Sequence, residues 1–223
     1  MPSLPRSLRN GEIAAVVFDL DGVLLDSEPL HYRAASRVFA ISGKTLSIDA
    51  YRQFIGCGAL ETWAAWKGTY GLAPTVAELI AADEAIRLDQ IRQGVDPILE
   101  AAATARQLKA DGMPLAIASS SKPDTIDAEL AAIGMIDVFA VRVSVEHVKR
   151  AKPAPDVYLR AAEVLDVPPN RCLAIEDSAV GVRAAKAAGM LCIAVPTDWT
   201  RSGDFGDADA VLESLRYFPL LIS

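Results

Sequence analysis

Five strand-like runs recur along this chain, at 14–18, 115–118, 141–144, 172–175 and 191–195, with a shorter one at 210–212. They are too short to be helices and mostly apolar, the pattern of strands covered on both faces. Alanine-rich stretches at 98–110, 124–133, 156–165 and 179–186 lie between them and read as helices. Strands alternating with helices predict the α/β class, with a mostly parallel sheet sandwiched by helices. The rhythm breaks once. Between the first and second runs lies far more chain than one crossover helix needs. Within it, Tyr32-Arg33-Ala34-Ala35-Ser36-Arg37-Val38-Phe39 and Val76-Ala77-Glu78-Leu79-Ile80 have helical patterning. We expect a small helical cap over 28–94, inserted into a core made of 1–27 and 95–223. Its entries, Asp26-Ser27-Glu28-Pro29 and Gln93-Gly94-Val95-Asp96-Pro97, combine small, glycine and proline residues in the manner of a hinge pair.

The strand ends carry the chemistry. The first run stops at Asp19-Leu20-Asp21-Gly22-Val23, two carboxylates one residue apart before a glycine that lets the backbone turn sharply. Such acids repel each other and resist burial, so they need a cation, or one must hold a proton. The fourth run ends in a second pair, Glu176-Asp177, and the two pairs together would make an oxygen-rich pocket suited to a hard divalent ion. The second run ends in Ser119-Ser120-Ser121-Lys122 ahead of Pro123-Asp124. Serines there either cap the next helix or cradle phosphate with their hydroxyls and the helix N-terminus. In Lys149-Arg150-Ala151-Lys152-Pro153-Ala154-Pro155-Asp156, prolines hold the backbone around Lys152, and a fixed ammonium suits a phosphoryl group. Lys149 and Arg150 read as a solvated basic turn.

Taken in order, Asp19-x-Asp21-Gly22-Val23, Ser119, Lys152-Pro153-x-Pro155-Asp156 and Glu176-Asp177 resemble the four motifs of the haloacid dehalogenase superfamily. The likeness is to the branch of β-phosphoglucomutase and the small sugar-phosphate phosphatases, and it spans most of the chain. It implies a Rossmann-like, doubly wound parallel core with an inserted cap, and an aspartyl-phosphate route. Asp19 would attack phosphorus and Asp21 would act as acid, then base. Lys152 would hold phosphoryl oxygens, and Ser119 with the backbone around Ser120 would grip the same group. Mg2+ would be held by Asp19, the Asp21 backbone carbonyl and Asp177, with Glu176 as a further ligand or behind them.

The cap sets what is cleaved. By resemblance, His31 faces the active site, although a helix-surface histidine fits the sequence equally. Ile55-Gly56-Cys57-Gly58-Ala59 looks like the substrate-specificity loop, where Gly56 and Gly58 let backbone approach a ligand. β-Phosphoglucomutases place an arginine there; this chain has Ala59. A mutase must grip a bisphosphate in two orientations, so we expect a phosphatase, with mutase activity kept open by Arg52, Lys67 or Arg87 as substitute cations. A haloacid dehalogenase would need no second aspartate, and a binding module would not need the full acid set. Trp63 and Trp66 are expected to pack inside the cap.

Composition narrows the partners. A net charge of −7 over 223 residues argues against nucleic acid or an anionic membrane surface, leaving a small phosphorylated metabolite. No uninterrupted apolar stretch approaches the roughly 20 residues of a membrane span. The three cysteines, Cys57, Cys172 and Cys192, lack metal-type spacing and suggest a reducing cytoplasm. The first ten residues read as a loosely packed leader, and a monomer is expected.

Overall fold

In the computed structural model, which describes residues 13–218, the strands are β1 Ala15–Phe18, β2 Leu115–Ala118, β3 Val141–Val143, β4 Cys172–Glu176, β5 Leu191–Ala194 and β6 Ala210–Val211. The helices are α1 Glu28–Ile41, α2 Ile48–Arg52, α3 Ala59–Tyr70, α4 Val76–Gln93, α5 Leu99–Ala110, α6 Pro123–Ala132, α7 Asp156–Leu165 and α8 Ala179–Ala187. All six strands pair in parallel, in the order β3-β2-β1-β4-β5-β6. Every strand and core helix expected from the sequence is present. The leader expected over the first ten residues falls outside the described residues.

The alternation of side chains along each strand separates two core layers. Val16 and Phe18 of β1 join Ile117, Leu173 and Ile175 beneath α5 and α6. Ala15 and Val17 face the other way, where Ala116, Ala118, Ala174 and Ala194 meet Ala161, Ala162, Ala184 and Ala185 of α7 and α8. Small side chains on both sides of that second layer let these helices lie close to the sheet. Phe18, fully buried, packs edge-to-face on Phe139 at 5.5 Å. Its truncation to alanine would cost about 3–5 kcal/mol.

Strand order then decides where the acids go. β1 pairs with β2 on one side and β4 on the other, placing the switch in winding direction between β1 and β4. Open α/β sheets bind ligands in the crevice at that point. The residues after Phe18 and Ile175, which are paired in register, are the two acid pairs.

Residues 28–94 form α1 to α4 around a third cluster containing Phe39, Tyr51, Trp63 and Trp66. Trp63 and Trp66 are buried there with ring centroids 5.1 Å apart, as expected. Trp199, from the loop after β5, reaches the same cluster and stacks near Tyr32 and Tyr51. α4 opens with a reciprocal capping box between Thr75 and Glu78, a feature that fixes its start. The two connecting segments run side by side: Asp26 N donates to Asp96 O at 3.1 Å and Ile98 N to Leu24 O at 2.9 Å. Among the described residues no helix is long and apolar enough to cross a membrane.

Candidate active site

Because β1 and β4 are neighbours, carboxylate oxygens of Asp19, Glu176 and Asp177 fall within 4.8 Å of one another, all three residues buried. Lys152 enters from the loop before α7, its Nζ 3.1 Å from Asp19 Oδ1 and 2.7 Å from Glu176 Oε1. The Tyr158 hydroxyl donates to the same Glu176 oxygen at 2.5 Å, and Ser178 Oγ to Glu176 Oε2 at 3.2 Å. Two glycines make room. A Cβ on Gly22, where φ is +71°, would collide with the Asp177 carboxylate, and one on Gly181 of α8 would collide with that of Glu176.

Three carboxylates against one ammonium leave the cluster short of positive charge. Burial pushes Asp19 up to about 7 despite the pull of Lys152, and burial with Glu176 and Asp19 pushes Asp177 well above the usual carboxylate range. Burial alone would lower Lys152, but Asp19 and Glu176 outweigh it and raise it. This donor set fits a hard divalent cation with oxygen ligands. Asp19 and Asp177 would face it directly, since Glu176 is engaged by Lys152, Tyr158 and Ser178.

Asp21 points elsewhere. Its carboxylate accepts from Ser27 Oγ at 2.6 Å and Ser121 Oγ at 3.2 Å, and His31 Nε2 lies 3.4 Å from Oδ1. His31 on α1 therefore faces the site rather than the helix surface. Burial lowers its pKa to about 4 against the pull of Asp21, so the imidazole is neutral at physiological pH. Glu129 of α6 completes this second group, fully buried with neither oxygen hydrogen-bonded.

A cavity of about 430 Å³ joins these parts, lined on one side by Asp19, Asp21, Ser120, Lys152 and Asp177 and on the other by α1, α3 and α4. That volume suits a small metabolite. Gly56 and Gly58 line it as expected, and a Cβ on Gly56, with φ +83°, would press on Val180 at 3.2 Å. Ser119 lies just behind the lining, buried, its Oγ accepting from Ser121 N at 3.0 Å.

Among the substitute cations, Arg87 alone lines the cavity, paired with Asp83 at 3.1 Å. Lys67 is spent on the carbonyls of Leu72, Ala73 and Pro74, and Arg52 stacks over Trp199. Lys149 and Arg150 are exposed, as expected of a solvated basic turn, and Arg150 also makes a forked pair with Asp156 at the start of α7. Cys57 is exposed, Cys172 and Cys192 are buried, and all three are free.

Sequence reasoning did not single out Tyr158, Ser121, Glu129 or Gly181 as site residues, and treated Ser27 only as hinge. Tyr158 alone had a signal: a tyrosine on the inner face of α7 needs a hydroxyl partner when buried.

An acid-lined crevice at the carboxyl edge of a doubly wound parallel sheet, with a lysine locked onto the first acid and helices lining its far side, is the site of an enzyme of the α/β class. The chain belongs to the haloacid dehalogenase-like hydrolases, whose family model matches residues 13–189. It is 36% identical to protein CbbY of Rhodobacter capsulatus over 208 residues, covering 89% of this chain and 92% of the relative. To the fructose-1-phosphate phosphatase YqaB of Escherichia coli it is 31% identical over 190 residues, covering 79% and 93%. The solved structure of CbbY from Rhodobacter sphaeroides in complex with xylulose-(1,5)bisphosphate superposes with a TM-score of 0.85 at 32% identity, covering 92% and 95%.

Proposed function

We propose that this protein is a Mg2+-dependent phosphatase of a small phosphorylated sugar or sugar-like metabolite, acting through an aspartyl-phosphate on Asp19. The observation that carries it is the Asp19 carboxylate, held 3.1 Å from Lys152 in a cavity also lined by Asp21 and Asp177. Kinship with a named sugar-phosphate phosphatase supports the substrate class.

In this reading Asp19 attacks phosphorus in line as the P–O bond to the sugar breaks. Lys152 offsets the repulsion between anionic nucleophile and anionic substrate. The departing alkoxide takes a proton from Asp21, whose carboxyl is aimed by the Ser27 and Ser121 hydroxyls, with the neutral His31 beside it. Water then enters, gives its proton to Asp21 and attacks phosphorus, and Asp19 is regenerated as phosphate leaves. Ser119 and the Ser120 backbone hold the phosphoryl oxygens. Asp19, Asp177 and the Asp21 carbonyl would hold Mg2+, which would supply the positive charge this acid cluster lacks. Residues 28–94 act as the cap, with its hinge at the two connecting segments bridged at Leu25 and Pro97.

Phosphate release from a panel of sugar phosphates, with and without EDTA, tests the proposal. Activity that EDTA abolishes supports it, and metal-independent hydrolysis contradicts it. Incubating β-glucose 1-phosphate with a trace of bisphosphate and finding glucose 6-phosphate as the dominant product would favour the mutase instead.

A further inference from the structure

Resting on the phosphatase reading above, we infer that the cap end of the cavity takes a neutral, hydroxylated tail and rejects a second phosphoryl group, with Glu84 and Asp83 setting that preference.

The lysines and arginines lining the cavity are Arg87, Lys122 and Lys152. Lys152 is committed to Asp19 and Glu176. Lys122, next to the serine loop, places Nζ 2.8 Å from Glu84 Oε2 on α4. Arg87 Nε lies 3.1 Å from Asp83 Oδ2, one turn away on the same helix. Each cation at the cap end therefore has its own carboxylate before any ligand arrives. Among the described residues no other lysine or arginine lines the cavity: Lys67 and Arg52 are engaged away from the lining, and the specificity loop ends in Ala59.

A phosphoryl dianion needs surplus positive charge and several N–H donors. Entering here, it would have to part Lys122 from Glu84 or Arg87 from Asp83, leaving a displaced carboxylate beside it. The carboxylates are largely sheltered, Glu84 being 19% and Asp83 12% exposed at the side chain, so solvent screens that repulsion poorly. A hydroxyl meets no such barrier, because it donates to a carboxylate and accepts from a cation at once, bridging either pair without breaking it. Selectivity thus comes from a repulsive element as much as from an attractive one.

The test compares kcat/KM for fructose 1-phosphate and fructose 1,6-bisphosphate, using the full chain with Mg2+, in wild type, Glu84→Gln and Asp83→Asn. The wild type is expected to favour the monophosphate by about tenfold or more. Freeing Lys122 or Arg87 of its carboxylate should move the ratio toward the bisphosphate by a similar factor. Because each ratio is taken within one preparation, partial unfolding of a variant cancels. A wild-type preference for the bisphosphate, or an unchanged ratio in both variants, overturns the inference and leaves the phosphatase reading standing. Failure to hydrolyse either substrate or p-nitrophenyl phosphate would instead defeat the reading beneath it.

Discussion

Lys152 Nζ stands 3.1 Å from the Asp19 carboxylate, and the same ammonium is shared with Glu176 at 2.7 Å. One buried cation thus serves two acids delivered by adjacent strands. Replacing Lys152 with methionine keeps the volume and removes the charge. We expect kcat to fall by about 10²–10³, and the metal-free protein to lose roughly 3–5 kcal/mol in chemical denaturation, as when a buried pair is broken. Lys152→Arg should not rescue turnover, since Tyr158 and Glu176 close the slot around a compact ammonium. Near-wild-type kcat in either variant would contradict the role.

Gly181 and Gly68 both lie inside helices, α8 and α3, and differ in what surrounds them. Alanine is favoured over glycine in a helix by up to about 1 kcal/mol, so Gly68→Ala, which meets nothing within 4 Å, should raise the melting temperature. Gly181→Ala drives a methyl into Glu176, and steric conflict in a packed site exceeds that propensity gain. We expect it to lower both the melting temperature and kcat. Equal stabilisation by the two substitutions would show that Glu176 is not held against α8.

Asp21→Asn should separate the half-reactions. p-Nitrophenolate leaves without a proton, whereas a sugar alkoxide needs one. With p-nitrophenyl phosphate the variant should give a burst of one p-nitrophenolate per enzyme followed by slow turnover, because the water attack lacks its base. Loss of the burst together with the steady rate would argue against Asp21 as the proton-handling group.

Burial, partly offset by the 2.5 Å hydrogen bond from Tyr51, pushes Glu28 up to about 7 from its ordinary 4.5. A folded-state pKa raised above the unfolded value means a stability contribution fully present below about 4.5 and lost as pH rises through 7. Glu28→Gln removes that loss while keeping an acceptor for Tyr51. Melting curves of variant and wild type from pH 5 to 8.5 without metal should therefore diverge in the variant's favour as pH rises. The shift of Asp19 is common to both proteins, and the part of the Asp177 rise that comes from Glu28 is lost in the variant, which adds to the same divergence. A constant difference would mean that Glu28 is not titrating there.

The sheet was legible because strands buried on both faces leave apolar runs that no other element explains, and β2 and α7 were placed to the residue. The acid and lysine positions were legible because each lies at a strand end or is flanked by prolines. The polar groups behind them were not. Ser27 and Ser121 reach Asp21 only after the chain folds, across sequence gaps of 6 and 100 residues. Glu129 reads as an ordinary helix glutamate, and nothing in its neighbours announces that α6 turns it inward. Nor can charge pairing be read from one chain: Arg52, Lys67 and Arg87 looked equivalent until their partners were visible.

The central claim is that Asp19 becomes transiently phosphorylated, and acid quench of a single turnover with [³²P]-labelled sugar phosphate tests it most directly. The account predicts hydroxylamine-labile label on the peptide carrying Asp19 in wild type, far less in Asp21→Asn, where the sugar alkoxide finds no proton, and none in Asp19→Asn. Phosphate release with no label on that peptide, or full turnover by Asp19→Asn, would contradict it.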